Sequence, residues 1–235
     1  MKQIVITAFI LIIALGGCAE VQPQGYIYFI SDVGENTQIA KIEASTGEIV
    51  AILNTRFTEK ALIEREETLY LFAEDDDSLR VFRLSNDFSV MEEVDDSSLI
   101  VDYKRGTARG GLWSTLNEDG KILWIPRPEV EPVIVSAPNE KCFDAYISFP
   151  NGLIAYHAII DNVKTVIIVK SLPEGIIKRV FDTSGKPSKP TISPDGLWIA
   201  FAVGNSDKKD IVIGDIHCGI TRTIASGDGP LWLDK

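Results

Sequence analysis

The sequence predicts an all-β protein, a five-bladed β-propeller whose ring is closed by the C-terminal strand pairing into the first blade. Three observations lead there. Apolar triplets ending in an aromatic recur along the chain, closing at Phe29, Phe72, Trp113, Tyr156 and Phe201, with spacings of 43, 41, 43 and 45 residues. Each triplet is followed by two further β-rich runs separated by polar loops. The series begins without a first strand and ends with one that has no successor, Gly229 to Lys235. A period in the low forties with about four short strands per unit is the pattern of a propeller blade. An ordinary sandwich with evenly spaced strands is the competing architecture.

The clearest copy of the unit is Pro190 to Phe201, P-T-I-S-P-D-G-L-W-I-A-F. Pro194 pre-sets φ for a turn, Asp195 can accept a local backbone N–H, and Gly196 can take positive φ without steric cost. Leu197 to Val203 continues as an apolar, β-rich run. One hairpin cannot bury its own faces, so the unit must stack against its copies. With the strands of a blade labelled A to D, the B strands centre on the five aromatics. The C strands are Gln38–Ala44, Ser78–Leu84, Lys121–Pro126, Lys164–Lys170 and Lys209–Ile216. The D strands are Glu48–Leu53, Ser89–Val94, Pro132–Ser136, Gly175–Phe181 and Ile220–Ala225. An A strand for the third blade is expected around Leu99 to Tyr103. Pro230 in the tail falls where Pro190 falls in the full copy, so the tail supplies the A strand that the first blade lacks. Closure of this kind removes exposed sheet edges.

At these residues the chain resembles the TolB-like propeller repeat family, whose pattern runs P-x-W-S-P-D-G-x-x-I-A-F. The match is strong over Pro190 to Phe201, where Ile192 stands in place of the pattern's Trp, and partial at Phe149 to Tyr156 and Pro230 to Trp232. The resemblance implies a propeller that works as a docking platform. This chain departs from TolB, which carries six blades behind an N-terminal α/β domain, in having five units and no room for that domain.

Residues 1–17 read as a lipoprotein signal peptide. Lys2 supplies the charge, and Ile4 to Leu15 is a largely apolar run of 12 residues, too short to span a membrane as a helix. Leu15-Gly16-Gly17-Cys18 resembles a bacterial lipobox, in which Cys18 accepts the lipid. A plain secretory signal with an incidental cysteine is the alternative. Ala19 rather than Asp follows Cys18, which favours the periplasmic side of the outer membrane if the source is Gram-negative. Residues 18–24 form a tether and residues 25–235 a single propeller domain. The net charge of −11 becomes −12 once Lys2 leaves with the signal, which argues against nucleic acid as a partner. Contact with membrane is expected through the anchor alone. Cys142 and Cys218 fall at positions on opposite faces of the expected ring, which argues against a disulfide between them.

The B-to-C loops share one face and are acidic. Glu74, Asp75, Asp76, Asp77, Glu118 and Asp119 are the candidate binding residues there, with Glu92, Glu93, Asp95 and Asp96 in a D-to-A connection. A carboxylate-rimmed mouth for a cation or basic partner is one reading, and ordinary solvated turns are the other. No calcium-loop pattern, nucleophile elbow or zinc-binding helix motif is present, and no cofactor or metal site is expected. A glycoside-hydrolase-like alternative needs a carboxylate pair on innermost strands, for which Asp102 and Asp144 are the candidates. Trp113 and Trp124 could then stack on a glycan. The reading that the residues favour is a lipid-anchored, non-catalytic platform of the cell envelope for a protein or peptide. If Cys18 carries the lipid, Cys18→Ala releases the protein into the soluble fraction, and membrane retention of that variant would count against the anchor.

Overall fold

The hairpin chemistry of the repeats decides the architecture. The computed structural model describes residues 21–33, 36–76, 78–104, 114–116, 119–125, 130–205 and 208–234. These form five antiparallel sheets. The first contains β1 (Tyr26–Val33), β2 (Asn36–Glu43) and β3 (Ile49–Leu53). The second runs β4 (Thr58–Arg65), β5 (Thr68–Asp75), β6 (Ser78–Leu84) and β7 (Met91–Glu93), followed by the helix α1 (Ser97–Lys104). The third holds β8 (Ser114–Leu116), β9 (Ile122–Trp124) and β10 (Val133–Ile134). The fourth runs β11 (Glu140–Ser148), β12 (Leu153–Ile160), β13 (Lys164–Ser171) and β14 (Ile177–Asp182). The fifth runs β15 (Lys186–Ile192), β16 (Trp198–Gly204), β17 (Lys209–Asp215) and β18 (Thr221–Ser226). The last strand, β19 (Asp228–Leu233), leaves the fifth sheet and joins the first, giving the order β19-β1-β2-β3.

The β19–β1 register places Leu233 opposite Tyr26 and Leu231 opposite Tyr28. Trp232 is 1% exposed and packs between the first and fifth sheets, against Ile27, Phe29, Ala200 and Ile213. Its indole N–H donates to the Gln24 carbonyl at 2.7 Å, so the one polar atom of the ring is satisfied. Similar apolar interfaces join the first sheet to the second, the fifth to the fourth, and the fourth to the third. Burial falls outward across each four-stranded sheet. The second strands, such as β12, are almost wholly buried, and the outer strands β3, β7, β14 and β18 are largely exposed.

A turn repeats between the third and fourth strands of three sheets. Glu43–Glu48, Ser171–Ile176 and Asp215–Ile220 are each closed by a backbone hydrogen bond between the first N–H and the last carbonyl. Gly47, Gly175 and Gly219 stand at the same place in it, at φ +76, +66 and +77, a region that L side chains rarely adopt. Arginines from neighbouring outer strands grip two of these turns. Arg179 of β14 donates to the Ile216 carbonyl at 2.9 Å and to that of His217, and Arg222 of β18 donates to the Ala44 and Ser45 carbonyls at 3.2 and 2.8 Å. The same latch therefore holds the fourth sheet to the fifth and the fifth to the first.

The segment Leu99 to Tyr103 is not a strand, as the sequence had suggested, but part of α1. The Asp96 carboxylate accepts from the N–H groups of Ser98 and Leu99 at 2.9 and 3.4 Å, which supplies the helix with a cap. The Ser98 hydroxyl is the main reason that the Asp96 carboxyl is held below the usual carboxylate range. Leu99 is buried against Ala61, Ile63, Phe72 and Val81 of the second sheet. Asp-Asp-Ser-Ser before Leu-Ile thus reads better as a cap and one apolar helical face than as strand alternation. The B-strand position Gly111–Trp113 lies outside the described residues.

Within the apolar interface between the third and fourth sheets lies a small buried polar set. The Tyr156 hydroxyl donates to Glu140 Oε2 at 2.7 Å, and Lys170 Nζ lies 3.6 Å from the same carboxylate and donates to the Val135 carbonyl at 2.9 Å. Burial first, then the Glu140 carboxylate, pushes the Tyr156 hydroxyl far above its ordinary value. Cys142 beside them is a free, buried thiol, so Cys142 and Cys218 are not bridged.

Two stability tests follow. Trp232→Ala removes a large buried side chain from the β19 junction at a cost of roughly 3–5 kcal/mol. That corresponds to a fall in Tm of about 10 °C at this chain length; an unchanged melt would show that β19 contributes little. His157 is 1% exposed and stacks on Phe143 at 4.6 Å. Burial lowers its pKa from 6.5 to about 4, partly offset by Asp144 and reinforced by Lys186. The unfolded chain therefore binds the proton more tightly, and stability falls as pH drops from 6.5 towards 4, by about 3 kcal/mol in all. His157→Leu should flatten that part of a Tm-versus-pH curve.

Candidate functional site

The first strands of four sheets, β4, β11, β15 and β19, border one cavity. Each is distorted at the same height. The register slips by one residue between Glu59 and Ala61, Cys142 and Ala145, and Ser188 and Thr191, and in β19 between Asp228 and Leu231. Such bulges re-aim side chains that regular pleating would alternate. Here they bring charged residues together towards the loop end of the strands. Asp144 accepts from the Lys189 N–H at 3.2 Å, and Lys189 takes φ +51 to allow it. Lys189 Nζ lies 2.6 Å and Lys209 Nζ 3.0 Å from Asp228. Burial pushes the Asp228 carboxyl up, but the two ammonium groups outweigh it and hold it below the usual range. Glu59, 5% exposed, accepts from the Thr55 hydroxyl at 2.5 Å and from that of Thr37. This end of the inner strands is therefore a network of mutually satisfied charges.

The other end is different. A cavity of about 640 Å³ opens where the β4–β5, β11–β12 and β15–β16 turns meet the end of β19. Its walls include Tyr146, Phe149 and Trp232, and its carboxylates are Glu64, Glu67 and Asp234. Among its described lining residues there is no Lys, Arg, His or Cys. Partial desolvation, with Glu67 adding to it, raises the Glu64 carboxyl above its ordinary value. The Glu66 and Glu67 backbones hold φ +53 and +61 in the tight β4–β5 turn, which keeps Glu64 and Glu67 beside each other. A mixed space with aromatic side chains and clustered carboxylates suits a positively charged group carried on an apolar body.

The residues singled out from sequence lie elsewhere. Glu74 pairs with Lys60 at 2.7 Å and Asp75 with Arg80 at 3.0 Å, so in-sheet cations meet both carboxylates. Asp76 takes φ +47 in the β5–β6 turn, and Asp119 is exposed before β9. Asp77 and Glu118 lie outside the described residues, as does Cys18. Glu92 pairs with Arg83, and Glu93 lies 3.3 Å from Arg80. Asp102 belongs to α1 rather than an innermost strand, so it does not form the expected inner-strand pair with Asp144. Asp144 itself is tied to Lys189 and does not line the cavity. Trp124 lies on β9 with its indole N–H buried; Trp113 is outside the described residues. Among the described residues no group of three His, Cys, Asp or Glu side chains could hold a metal ion. Sequence reasoning missed this cluster because Asp234 is far along the chain from Glu64 and Glu67. The one available signal was their common position at the turn end of first strands.

No protein-family model and no curated protein matches the chain. Among solved structures, a putative TolB from Agrobacterium tumefaciens aligns at 10% identity with a TM-score of 0.45, over 86% of this chain and 83% of that one. TolB from Acinetobacter baumannii aligns at 14% identity and 0.40, over 90% of this chain and 54% of that one, so this chain spans about half of it. An oligogalacturonate lyase in complex with manganese aligns at 9% identity and 0.42, over 84% and 64%. Likenesses at this level assign neither an activity nor a partner to this chain.

Proposed function

We propose that the chain is a lipid-anchored envelope protein, a five-bladed β-propeller closed by β19, that binds a protein or peptide and catalyses nothing. The ring reading is supported by the transfer of β19 to the first sheet and by the Arg179 and Arg222 latches, which make the junction of the last and first sheets resemble an internal one. The binding reading rests on one observation: the turn-side cavity gathers Glu64, Glu67 and Asp234 with aromatic walls and no cation among its described lining residues. Its ligand is a basic segment, an N-terminal amine or a Lys- or Arg-bearing strand, whose apolar part packs on Tyr146 and Phe149. The inner-strand network around Asp228 is already neutralised and makes a poorer binding surface.

The test is calorimetry with a short synthetic Lys/Arg peptide and an acidic control. Two partly exposed ion pairs, each worth roughly 0.2–1 kcal/mol, make Glu64→Gln/Glu67→Gln about tenfold weaker for the basic peptide. Binding should also weaken as pH falls, because Glu64 protonates above the ordinary carboxylate range and loses its attraction for a cation. Equal affinity of the double variant and the native protein would remove the cavity as the site.

A further inference from the structure

The exposed aliphatic side chains of this molecule are not scattered. In every sheet they cluster where the outer strand begins: Ile49 and Val50 in the first, Val90 in the second, Val133 in the third, Ile176 and Ile177 in the fourth, Ile220 in the fifth. Phe149 and Leu197 add two more from turns between first and second strands. All these positions lie at the turn end of the strands. Glu64, Asn86, Phe149, Pro194 and Asp234, from those ends of four sheets, surround one cavity mouth, so the ends share one face of the molecule. Of the other exposed large hydrophobics among the described residues, Val163 lies on the opposite, loop-bearing face and Ile52 lies midway along its strand. Aliphatic side chains at the exposed edge of a sheet invite unwanted pairing, and soluble proteins usually place charge there. Five repetitions at one height call for a common occupant.

The position of the chain's start indicates which. Tyr26, the first residue of β1, sits opposite Leu233 and Glu43 at this same end, and the Gln24 carbonyl is held by the Trp232 indole. The N-terminal segment therefore leaves from the middle of the aliphatic face. Six residues lie between Cys18 and Gly25, so the two are at most roughly 25 Å apart when the segment is fully extended. We infer that the turn face is a membrane-seating surface, its ring of aliphatic strand starts resting on the lipid bilayer that the Cys18 anchor enters. The inference rests on the lipid-anchor reading and goes beyond it: an anchor alone would leave the body free to tumble, whereas an apolar rim fixes which face meets lipid. With a net charge of −12 in the mature chain, seating cannot rely on attraction to anionic headgroups. It depends on shallow burial of side chains such as Ile177 and Ile220, which adds buried apolar area to that of the anchor and orients the body. The cavity mouth then opens towards the membrane, so its ligand comes from a membrane-proximal segment, and the acidic loops point away.

The experiment uses the mature chain purified from membranes, with the mass of its N-terminal residue determined first, reconstituted on phosphatidylethanolamine–phosphatidylglycerol vesicles. Hydrogen exchange is followed by mass spectrometry at 48–51, 89–92, 175–178 and 219–222, with 161–165 as the opposite-face reference. Seating predicts exchange at the rim slowed at least severalfold on vesicles at every protein concentration, with 161–165 unchanged. Ile177→Glu/Ile220→Glu should remove the slowing at both of its sites while the protein still floats with the vesicles. An unmodified Cys18 overturns the anchor and the seating with it. An acylated protein with no rim slowing overturns the seating and leaves the anchor standing. Slowing that follows protein concentration rather than lipid assigns the face to a second copy of the chain and also overturns the proposal.

Discussion

The structure depends on one long-range pairing, that of β19 with β1. Without it the first sheet has three strands and an open edge, and the fifth sheet has nothing on its outer side. Trp232 is what makes the pairing strong. It fills the gap between two sheets with a side chain that no residue of β1 to β3 could supply, and it ties the entering chain through the Gln24 carbonyl. The contact brings together residues 208 positions apart. Loop-closure entropy must therefore be overcome before this contact stabilises anything, a burden typical of non-local β topologies.

The sheets are joined by more than apolar packing. Two of the repeated turns with a left-handed glycine present two carbonyls to an arginine of a neighbouring sheet, Arg179 binding them through Nε and Nη2 and Arg222 through Nη2 alone. Where the third sheet meets the fourth, the polar set of Glu140, Lys170 and Tyr156 takes the place of a latch. Each member is hydrogen-bonded, Glu140 also accepting from the Ala137 N–H at 2.8 Å, so burial of the charges is tolerable, and loss of Glu140 would leave the Tyr156 hydroxyl without its acceptor and Lys170 without a counter-charge.

The two ends of the inner strands have been given opposite tasks by the same repeated backbone. At the loop end, bulges turn charged side chains towards one another until they are mutually neutralised around Asp228. At the turn end, the carboxylates of Glu64, Glu67 and Asp234 have no cationic neighbour among the cavity's described residues, and partial burial with Glu67 beside it raises the Glu64 carboxyl. Net charge alone would not have separated the two, since acidic residues occur at both ends.

Much of the strand order could be read directly from the chain. Aromatic-closed triplets, Pro-Asp-Gly and the orphan tail strand mark hairpins by short-range chemistry, which needs no tertiary context, and they place β1, β5, β12, β16 and β19 correctly. Local signals failed where two local structures compete. Asp96 as a helix cap and Leu99 as a buried helical residue outweighed the spacing argument for a strand, because α1 had the face of the second sheet to cover. The candidate site was hidden for a different reason. Charge runs such as Glu74 to Asp77 are conspicuous in sequence, but whether a carboxylate is neutralised depends on which cation faces it across the sheet, as Lys60 faces Glu74 and Arg80 faces Asp75. The amino-acid sequence by itself determined the hairpins and the partner of the last strand, since both follow from residue type and period. Only the tertiary structure decided which charges remain unmatched and which face carries the aliphatic rim, since both depend on distances between residues that the chain keeps far apart.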